Sequence, residues 1–455
     1  MKSTTDVLDL LAGPGTRRRL ARVDDGLRCK TSKQTYPLVD GIPWLFAAPS
    51  AALAEWRRRF GRETQGLDAQ VAKTIAEIQG NPSLRESTRQ RLALTAAGYA
   101  ARAKALRALL APLGEGGDAI AQEALLALRT RLPPTQGLTT YEANIFRDWC
   151  WGDEENALSA EIVSARLPAS YDAMLVLGAG AGRLAYDLHQ GGSHAHTVAL
   201  DINPLLAMIG RRVCAGETLS LRELPLAPRR MADVAIERTL AAPAAARPGL
   251  EFVLGDIVAM PLSRGAFDVV VAPWFVDIVE TDFEQLARQM SELLKPDGRL
   301  VLFGSLSFRA ADPAARYSFE EVLAVLQEAG LDEPEVEERR IPYLNSPGSR
   351  HGRVEEVVAL GVSKRRDVKP ISKPAALPEW LVAGREPVPL TEAFQQQITA
   401  TRIHTFIMSL IDGKRSIRDM AAAIEAQQLM PRKDAEEAVR RFLETMWDES
   451  RRSDF

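Results

Sequence analysis

The sequence predicts an α/β protein with a Rossmann-like parallel sheet, and three observations indicate this fold class. The four apolar residues 174–177 are typical of a buried strand, and a helix-like run begins at Arg183. Glycine alternates with alanine between them, at Gly178, Gly180 and Gly182, so the backbone there can take conformations closed to residues with a Cβ. Further apolar strands follow this turn, as a parallel sheet with crossover connections requires.

Two of the later strands end in acidic residues. The strand predicted over residues 197–200 is followed by Asp201, and the strand over 250–254 leads to Asp256. A carboxylate at the first place can accept hydrogen bonds from both hydroxyls of a ribose, and one at the second can reach an adenine amino group. The remaining strands are predicted over residues 267–272 and 299–303.

This succession resembles the class I S-adenosylmethionine-dependent methyltransferases. A glycine-rich turn alone would also suit a nicotinamide or flavin enzyme. However, the dinucleotide fingerprint requires glycine where Arg183 stands, which speaks against a dehydrogenase. The resemblance implies a seven-stranded methyltransferase sheet and S-adenosyl-L-methionine as the cofactor.

The composition is that of a globular chain long enough for several domains. Its 455 residues carry a formal net charge of −3, which gives no support to a nucleic-acid partner. No apolar run approaches membrane-spanning length and the N-terminus lacks the apolar core of a signal peptide, so we expect a cytoplasmic protein without a membrane partner. Cys29, Cys150 and Cys214 are too scattered for a disulfide framework or a zinc cluster, and we expect no metal.

Residues 1–50 are predicted to form a β-rich module of their own. The segments 8–14 and 36–43 resemble the small zinc-ribbon family related to the tRNA-methyltransferase activator. Three of that family's four cysteine positions are held by other residues, Gly13, Thr16 and Ser32. Only Cys29 remains, so we expect a metal-free docking or packing module. An unrelated β-rich extension is the alternative.

Helical segments flank the predicted catalytic domain. Residues 51–138 and 389–455 carry apolar residues at helical spacing, and residues 364–388 form a linker rich in Lys, Arg and Pro. Residues 407–421, with Ser416 as a helix cap, resemble the small winged-helix-like peptide-binding domain of the chaperone of pyrroloquinoline quinone biosynthesis. A generic helical cap is the alternative. The terminal modules are therefore candidates for holding a peptide or protein partner.

Six motifs occur in order within the catalytic domain predicted over residues 139–363. They are Arg147–Trp149 with Gly152–Glu155, Gly178–Tyr186, Trp274–Asp277, Gly304–Leu306, Tyr317–Glu321 and Tyr343–Asn345. Together they resemble the carnosine N-methyltransferase-like family. The cofactor site that this resemblance implies consists of Arg147, Trp149, Gly178, Gly180, Gly182, Arg183, Asp201 and Asp256.

Two of these cofactor residues have alternative roles on the sequence alone. Arg183 can pair with the methionine carboxylate of the cofactor, or with Asp187 one turn along its own helix. Trp149 can cover the cofactor, or belong to the core as a buried tryptophan.

On the substrate side, the resemblance implies that Asp277 orients the imidazole of a histidine-containing substrate. A carboxylate bonded to one ring N–H fixes the tautomer and leaves the other nitrogen free to attack a methyl group. The alternative is that Asp277 caps the helix that follows. The other implied substrate residues are Trp274 and Phe275 as walls, and Tyr343 and Asn345 as polar contacts.

One position departs from the family. Arg309 stands where the family has a histidine, and arginine stays protonated near neutral pH, so it is suited to binding a carboxylate rather than to acting as a base. Carnosine itself is therefore not the expected substrate. His351 lies in a loop after Tyr343 that could lie over the pocket, and a loop residue without a substrate role is the favoured alternative. Because methyl transfer to a neutral nitrogen needs little acid–base help, no catalytic histidine is required, and the remaining histidines near the second strand are expected at the surface. They are His189, His194 and His196.

The leading hypothesis is an S-adenosylmethionine-dependent N-methyltransferase acting on an imidazole-containing small molecule or peptide, with no nucleic-acid partner. A second hypothesis keeps the chemistry and makes the acceptor a ribosomally made peptide held by the C-terminal module. The non-enzymatic alternative is an interaction protein that binds the nucleoside without transferring methyl groups.

Overall fold

The computed structural model describes residues 6–114, 137–279, 281–308, 313–368, 390 and 392–452. The chain divides into two compact units, Met1–Ile371 and Ser372–Phe455. None of the described helices combines the length and the hydropathy needed to cross a membrane.

The strands of the described residues all belong to the first unit. In chain order they are β1 (Ala12–Gly13), β2 (Arg18–Val23), β3 (Gly26–Cys29), β4 (Thr35–Val39), β5 (Ile42–Leu45), β6 (Ala173–Leu177), β7 (His196–Asp201), β8 (Leu219–Glu223), β9 (Ile236–Leu240), β10 (Leu250–Gly255), β11 (Phe267–Pro273), β12 (Leu294–Gly304), β13 (Glu335–Tyr343) and β14 (Arg353–Ser363).

Within the described residues, twelve strands form one sheet in the order β1-β2-β3-β4-β5-β10-β7-β6-β11-β12-β14-β13, and β8 pairs with β9 in a separate ribbon. The seven strands from β10 to β13 are the methyltransferase-type sheet that the sequence predicts. Strands β10, β7, β6, β11 and β12 run parallel, and β14 is antiparallel to both of its neighbours. The chain leaves β6 toward β7 and later returns to β11 on the other side. In open α/β sheets, ligands bind outside the strand ends at such a switch point.

The five N-terminal strands extend this sheet instead of standing apart from it. Strand β5 pairs in parallel with β10, with Trp44 opposite Leu254 and Leu45 opposite Gly255. The backbone before β2 also contacts the loop after β10, since the N–H of Ala12 donates to the carbonyl of Pro261 at 2.8 Å. The predicted boundaries at residues 50 and 138 both lie within the first compact unit, Met1–Ile371, and the division at these residues stays a prediction. Without β5, strand β10 would lie at the edge of the sheet with unpaired backbone N–H and C=O groups. Strand β5 supplies their hydrogen-bond partners.

The positions that the zinc-ribbon resemblance assigns to cysteines lie close together. The Oγ1 of Thr16 lies 3.8 Å from the Sγ of Cys29, and a Cβ added to Gly13 would lie 3.2 Å from the same sulfur. One sulfur ligand cannot form the tetrahedral zinc site of a ribbon. Among the described residues, no three His, Cys, Asp or Glu side chains converge to hold a metal ion.

In the part of the first unit that the structure describes, the α-helices are α1 (Val7–Leu10), α2 (Pro49–Gly80), α3 (Glu86–Leu110), α4 (Glu142–Phe146), α5 (Asp153–Ser164), α6 (Arg183–Gly191), α7 (Pro204–Cys214), α8 (Phe283–Leu293) and α9 (Phe319–Glu328). Strand β6 shows how they cover both faces of the sheet, because its side chains alternate between two cores. Met174 and Val176 share a core with Trp56 of α2 and Leu106 of α3. Leu175 and Leu177 share the opposite core with residues of α8 and α9.

Within its described residues, the second unit contains α10 (Glu392–Ser409), α11 (Ile417–Ala426) and α12 (Arg432–Arg452). Its small core includes Ile407 of α10, Ile424 of α11 and Val439 of α12. The predicted cap is confirmed, because the Ser416 hydroxyl accepts a hydrogen bond from the N–H of Asp419 at 3.2 Å. The peptide-binding resemblance of this unit stays a prediction. Most of the predicted linker 364–388 lies outside the described residues.

The expected surface position of the histidines near β7 is wrong for two of them. His189 is fully buried and His194 is 2% exposed. Their rings lie 2.9 Å and 2.6 Å from the hydroxyl of Thr197, and the ring of His194 stacks on Tyr171 with centroids 4.5 Å apart. Burial, and then the neighbouring charges of His189, Arg247 and His196, lowers the pKa of His194 to about 4.

This burial predicts acid destabilisation of the first unit. The pKa of His194 is lower in the folded chain than in the unfolded chain, where it is ~6.5. The stability of the fold is therefore complete above pH ~6.5, where the ring is neutral in both states. It is lost as the pH falls from ~6.5 toward 4, because only the unfolded chain then binds the proton readily. We expect a loss on the order of 2 kcal/mol in the free energy of unfolding between pH 7.5 and pH 5. His194→Phe keeps the stacking and removes the titration, so urea unfolding of this variant should depend less on pH. The control is exposed His351→Gln, and an unchanged pH dependence in His194→Phe would contradict the assignment.

Candidate active site

The glycine-rich turn between β6 and α6 opens the site. Gly178, Gly180 and Gly182 all have left-handed backbones, with φ of +61°, +59° and +88°. A Cβ on Gly178 would lie 2.5 Å from Phe275, and one on Gly182 would lie 2.5 Å from Phe252 of β10. A Cβ on Gly180 would meet no protein atom within 4 Å. Gly180 thus faces open space, whereas Gly182 lets the turn pack closely on the sheet.

The two acids at the strand ends lie beside this turn and are each 9% exposed. Asp201 accepts hydrogen bonds from the N–H of Gly180 and the N–H of Asn203, both at 2.7 Å. Asp256 accepts from the N–H of Val258 at 2.9 Å. Burial raises the pKa of Asp201 to about 6, although the backbone donors act in the opposite direction. Burial therefore makes the ionised form of Asp201 less favourable than it is in water, and a hydrogen-bond donor of a bound ligand would stabilise that form.

A cavity of about 1020 Å³ lies at the carboxyl ends of the parallel strands. Nine of the residues predicted for the two binding sites line it, namely Arg147, Gly178, Gly180, Asp201, Asp256, Trp274, Phe275, Asp277 and Tyr343. The cavity has the size of sites that hold a cofactor and a small substrate together.

Arg147 lies in a widened helical turn, in which the N–H of Gly152 donates to the carbonyl of Arg147 at 2.9 Å. Its guanidinium donates to Asp148 at 2.8 Å and to Glu155 at 2.9 Å. Burial alone would lower the pKa of Arg147, but these carboxylates raise it. Glu155 also accepts from the N–H of Leu344 at 2.8 Å, which ties the turn to the end of β13. Arg147 is therefore a fixed cation in the cavity wall.

Three predicted cofactor residues do not line the cavity, namely Gly182, Arg183 and Trp149. Arg183 donates to Asp187 at 2.9 Å and to the carbonyl of Asp148 at 2.8 Å. Of the two alternatives for Arg183, the structure shows the ion pair with Asp187 on the same helix. Trp149 is 3% exposed and donates to the carbonyl of Ala181 at 2.8 Å, which makes it a core residue that supports the glycine-rich turn.

Aromatic rings line the part of the cavity that contains the predicted substrate residues. The ring of Trp274 lies 4.5 Å from that of Tyr343 and 5.9 Å from that of Phe303, between centroids. The backbone of Trp274 is left-handed, with φ of +49°, which is uncommon for a non-glycine residue. Its N–H donates to the carbonyl of Phe303 at 2.6 Å. Strained backbone of this kind is concentrated at functional sites.

Asp277 is held from one side by the segment that follows β12. Its Oδ2 accepts from the hydroxyl of Ser305 at 3.0 Å and from the N–H of Ser307 at 2.8 Å. The alternative that Asp277 caps α8 is wrong, because Asp282 accepts from the N–H of Glu284 at 3.1 Å and caps that helix. Ser305 belongs to the predicted motif Gly304–Leu306 but was given no role there, and Ser307, three residues after the end of β12, was missed.

The remaining predicted substrate residues do not line this cavity. Asn345 and His351 line a second, smaller cavity, where the side chain of Asn345 accepts from the N–H of Arg353 at 2.7 Å. Arg309 lies outside the described residues. Arg353, which the sequence analysis also missed, borders both cavities.

Residues 175–302 match a family model described as a methyltransferase domain. The match begins in β6 and ends in β12, so it contains the glycine-rich turn, both acidic strand ends and Asp277. A search of curated protein sequences finds no match.

Three solved methyltransferase structures are similar to about half of this chain. A Thermotoga maritima S-adenosylmethionine-dependent methyltransferase, described as a possible histamine N-methyltransferase, is 17% identical, covers 50% of this chain and 94% of its own, and has a TM-score of 0.31. The Burkholderia thailandensis 1,6-didemethyltoxoflavin-N1-methyltransferase is 18% identical, with 55% and 93% covered and a TM-score of 0.31. The N-methyltransferase NodS of Bradyrhizobium japonicum is 14% identical, with 47% and 97% covered and a TM-score of 0.32. At these TM-scores the likenesses carry no argument about the acceptor.

Proposed function

We propose that this chain, an S-adenosylmethionine-dependent methyltransferase, methylates a nitrogen of an imidazole ring in a histidine-containing small molecule or peptide. The methyltransferase activity and its cofactor rest on the family match over residues 175–302. The acceptor is the proposed part. The observation that carries it is the position of Asp277, which is held by Ser305 and Ser307 beside the aromatic rings of the cavity.

The residues of the cavity fit the cofactor. Gly180 leaves room for close approach of a ligand, since a Cβ there would meet no protein atom within 4 Å. Asp201 would hold the ribose hydroxyls and Asp256 the adenine amino group. Arg147 lines the same cavity and would attract the methionine carboxylate. When bound, S-adenosylmethionine supplies a methyl group that its sulfonium already activates.

Asp277 is suited to orient an imidazole. Both of its hydrogen bonds within the described chain go to Oδ2, which leaves Oδ1 able to accept a ring N–H. This bond would fix the tautomer in which the second ring nitrogen keeps its lone pair. Because Ser305 and Ser307 prevent the carboxylate from rotating, the nucleophilic nitrogen would be held in one direction.

The aromatic walls complete the acceptor site. Trp274 and Tyr343 present ring faces and edges to a flat acceptor, and their electron-rich faces stabilise the positive charge that the ring gains when it is methylated. The proton on the ring can then pass to Asp277 or to solvent. No further base is required.

We expect Asp277→Asn to lower kcat/KM for histidine-containing acceptors by roughly 10- to 100-fold, which corresponds to one hydrogen bond to a charged group. The assay follows labelled methyl transfer to histidine-containing dipeptides and peptides. Affinity for S-adenosylhomocysteine should stay unchanged, because Asp277 is assigned to the acceptor and not to the nucleoside.

The matched control is Asp282→Asn, which makes the same substitution five residues along the chain at a helix cap where Asn is equally suitable. This control should keep full activity. Full activity of Asp277→Asn, or methylation that occurs only on oxygen or carbon acceptors, would refute the imidazole assignment.

A peptide acceptor delivered by the second unit is the second candidate. The observation that favours it is the exposed apolar side chains of this helical unit, Met408, Ile411 and Leu429. Truncation after residue 389 should then lower activity on a long peptide but not on a dipeptide. Equal losses on both acceptors would argue against delivery. The interaction-protein alternative is set aside, because the matched family model is that of a methyltransferase.

A further inference from the structure

A second cavity of about 440 Å³ adjoins the first and shares Arg353 and Val354 with it. Three further basic side chains line it, Arg229, Arg350 and His351. The rest of the lining is neutral, and no acidic residue of the described chain belongs to it. The acceptor side of the active site therefore continues into a basic recess.

Two loops that are distant in sequence build this recess. The loop between β8 and β9 contains Arg229, and the loop between β13 and β14 contains Arg350. An antiparallel bridge joins Pro228 to Ser349, the N–H of Arg229 donates to Gly348 at 3.0 Å, and the N–H of Arg350 donates to Ala227 at 2.9 Å. The two arginines are thus positioned by paired backbone and not only by their own side chains.

Their charges are not neutralised locally. Within the described residues, neither Arg229 nor Arg350 nor His351 forms an ion pair. By contrast, the two arginines Arg340 and Arg353, which line the first cavity, do form ion pairs. Arg340 pairs with Glu356 and Arg353 pairs with Glu355. Toward the described part of the chain, Arg229 uses only its Nε, which donates to the carbonyl of Ser349 at 2.7 Å. Its two Nη groups therefore keep their donors, and a guanidinium offers these donors in the geometry that suits a carboxylate.

We propose that the acceptor carries a carboxylate, which Arg229 and Arg350 bind in the second cavity while the imidazole lies at Asp277 in the first. This inference rests on the proposed function and narrows it to anionic imidazole compounds, such as peptides with a free C-terminal carboxylate. The shared boundary at Arg353 allows one molecule to reach both cavities. An acceptor without the carboxylate would leave both guanidinium groups without an anionic partner, since among the described residues Arg229 donates to the carbonyl of Ser349 at 2.7 Å and Arg350 to the carbonyl of Arg229 at 3.4 Å.

The test compares glycyl-histidine with glycyl-histidinamide, which differ in one carboxylate. In methyl-transfer assays we expect the free acid to have a kcat/KM at least about tenfold higher. In the double variant Arg229→Gln/Arg350→Gln, kcat/KM for the free acid should fall to the value for the amide, so that the preference is lost. Arg230→Gln, next to Arg229 but outside the cavity lining, is the matched control and should keep the preference. If the double variant does not fold, Arg350→Gln alone should lower the preference about threefold or more.

Equal activity on the two dipeptides, or a preference that survives in the double variant, overturns the carboxylate site and leaves the imidazole assignment intact. If neither dipeptide is methylated, the proposed function fails, and a binding measurement decides the carboxylate site separately. Saturation-transfer NMR with N-acetylglycine and N-acetylglycinamide should show contact for the acid alone, and Arg229→Gln/Arg350→Gln should abolish it. Equal signals from acid and amide overturn the site.

Discussion

Replacing Asp201 with alanine is expected to weaken the binding of S-adenosylmethionine by about 100-fold or more, which corresponds to two hydrogen bonds to a charged group. The substitution also leaves the N–H groups of Gly180 and Asn203 without the acceptor that they have at 2.7 Å. Calorimetric titration with S-adenosylmethionine and S-adenosylhomocysteine measures the effect. Asp201→Asn, which keeps the volume and one acceptor oxygen, should lose roughly tenfold.

The pH dependence of binding checks the same assignment. The pKa of Asp201 is raised to about 6 by burial, and the ionised form is the one that can accept from both ribose hydroxyls. Affinity should be constant above pH 7 and should fall as the pH drops through 6, by up to about tenfold at pH 5. Asp201→Asn should lack this dependence. Unchanged affinity in Asp201→Ala would remove this residue from the cofactor site.

Two glycine substitutions in the same turn are expected to impair different properties. One should lower the stability of the fold, and the other should lower the affinity for the cofactor. Gly182→Ala places a Cβ 2.5 Å from Phe252 on a backbone with φ of +88°, and we expect it to destabilise the fold by about 2–4 kcal/mol. Gly180→Ala meets no protein atom, so it should cost about 1 kcal/mol of backbone strain. Its methyl group would enter the cavity instead, and cofactor affinity should fall at least about tenfold.

Each variant is the control for the other. Thermal unfolding without ligand should rank Gly182→Ala well below Gly180→Ala, whereas calorimetric titration with S-adenosylhomocysteine should show the larger defect per folded molecule for Gly180→Ala. Full cofactor affinity in Gly180→Ala would show that this glycine does not face the ligand.

Several features of the fold follow from local sequence alone. Apolar runs of strand length, alternate glycines and acids directly after Leu200 and Gly255 are properties of short segments, and the carboxyl ends of parallel strands meet at one edge of the sheet. Five of the seven central strands, the glycine-rich turn and the acidic strand ends were therefore predictable, whereas β13 and β14 were expected only because the resemblance implies a seven-stranded sheet. The Ser416 cap was predictable for the same reason, since its partner Asp419 lies three residues away.

Other assignments depended on partners that are distant in sequence. The sequence analysis left Arg183 with two roles, and the carbonyl of Asp148, far along the chain, helps to fix it behind the cavity wall. Asp277 likewise acquires Ser305 and Ser307 only because β11 and β12 are neighbours in the sheet.

The sequence by itself determined the class of fold and the cofactor edge of the sheet, because each of these is set by a short pattern and by the direction of a strand. Asp277 became a candidate through the family resemblance. Only the tertiary structure decided that the N-terminal strands complete the sheet through β5 and β10, and that the loops with Arg229 and Arg350 meet beside the active site. The physical reason is that each pairing joins two backbone segments that are far apart in sequence, so the segments meet only when the chain between them has folded. Neither segment carries a local signal of its partner.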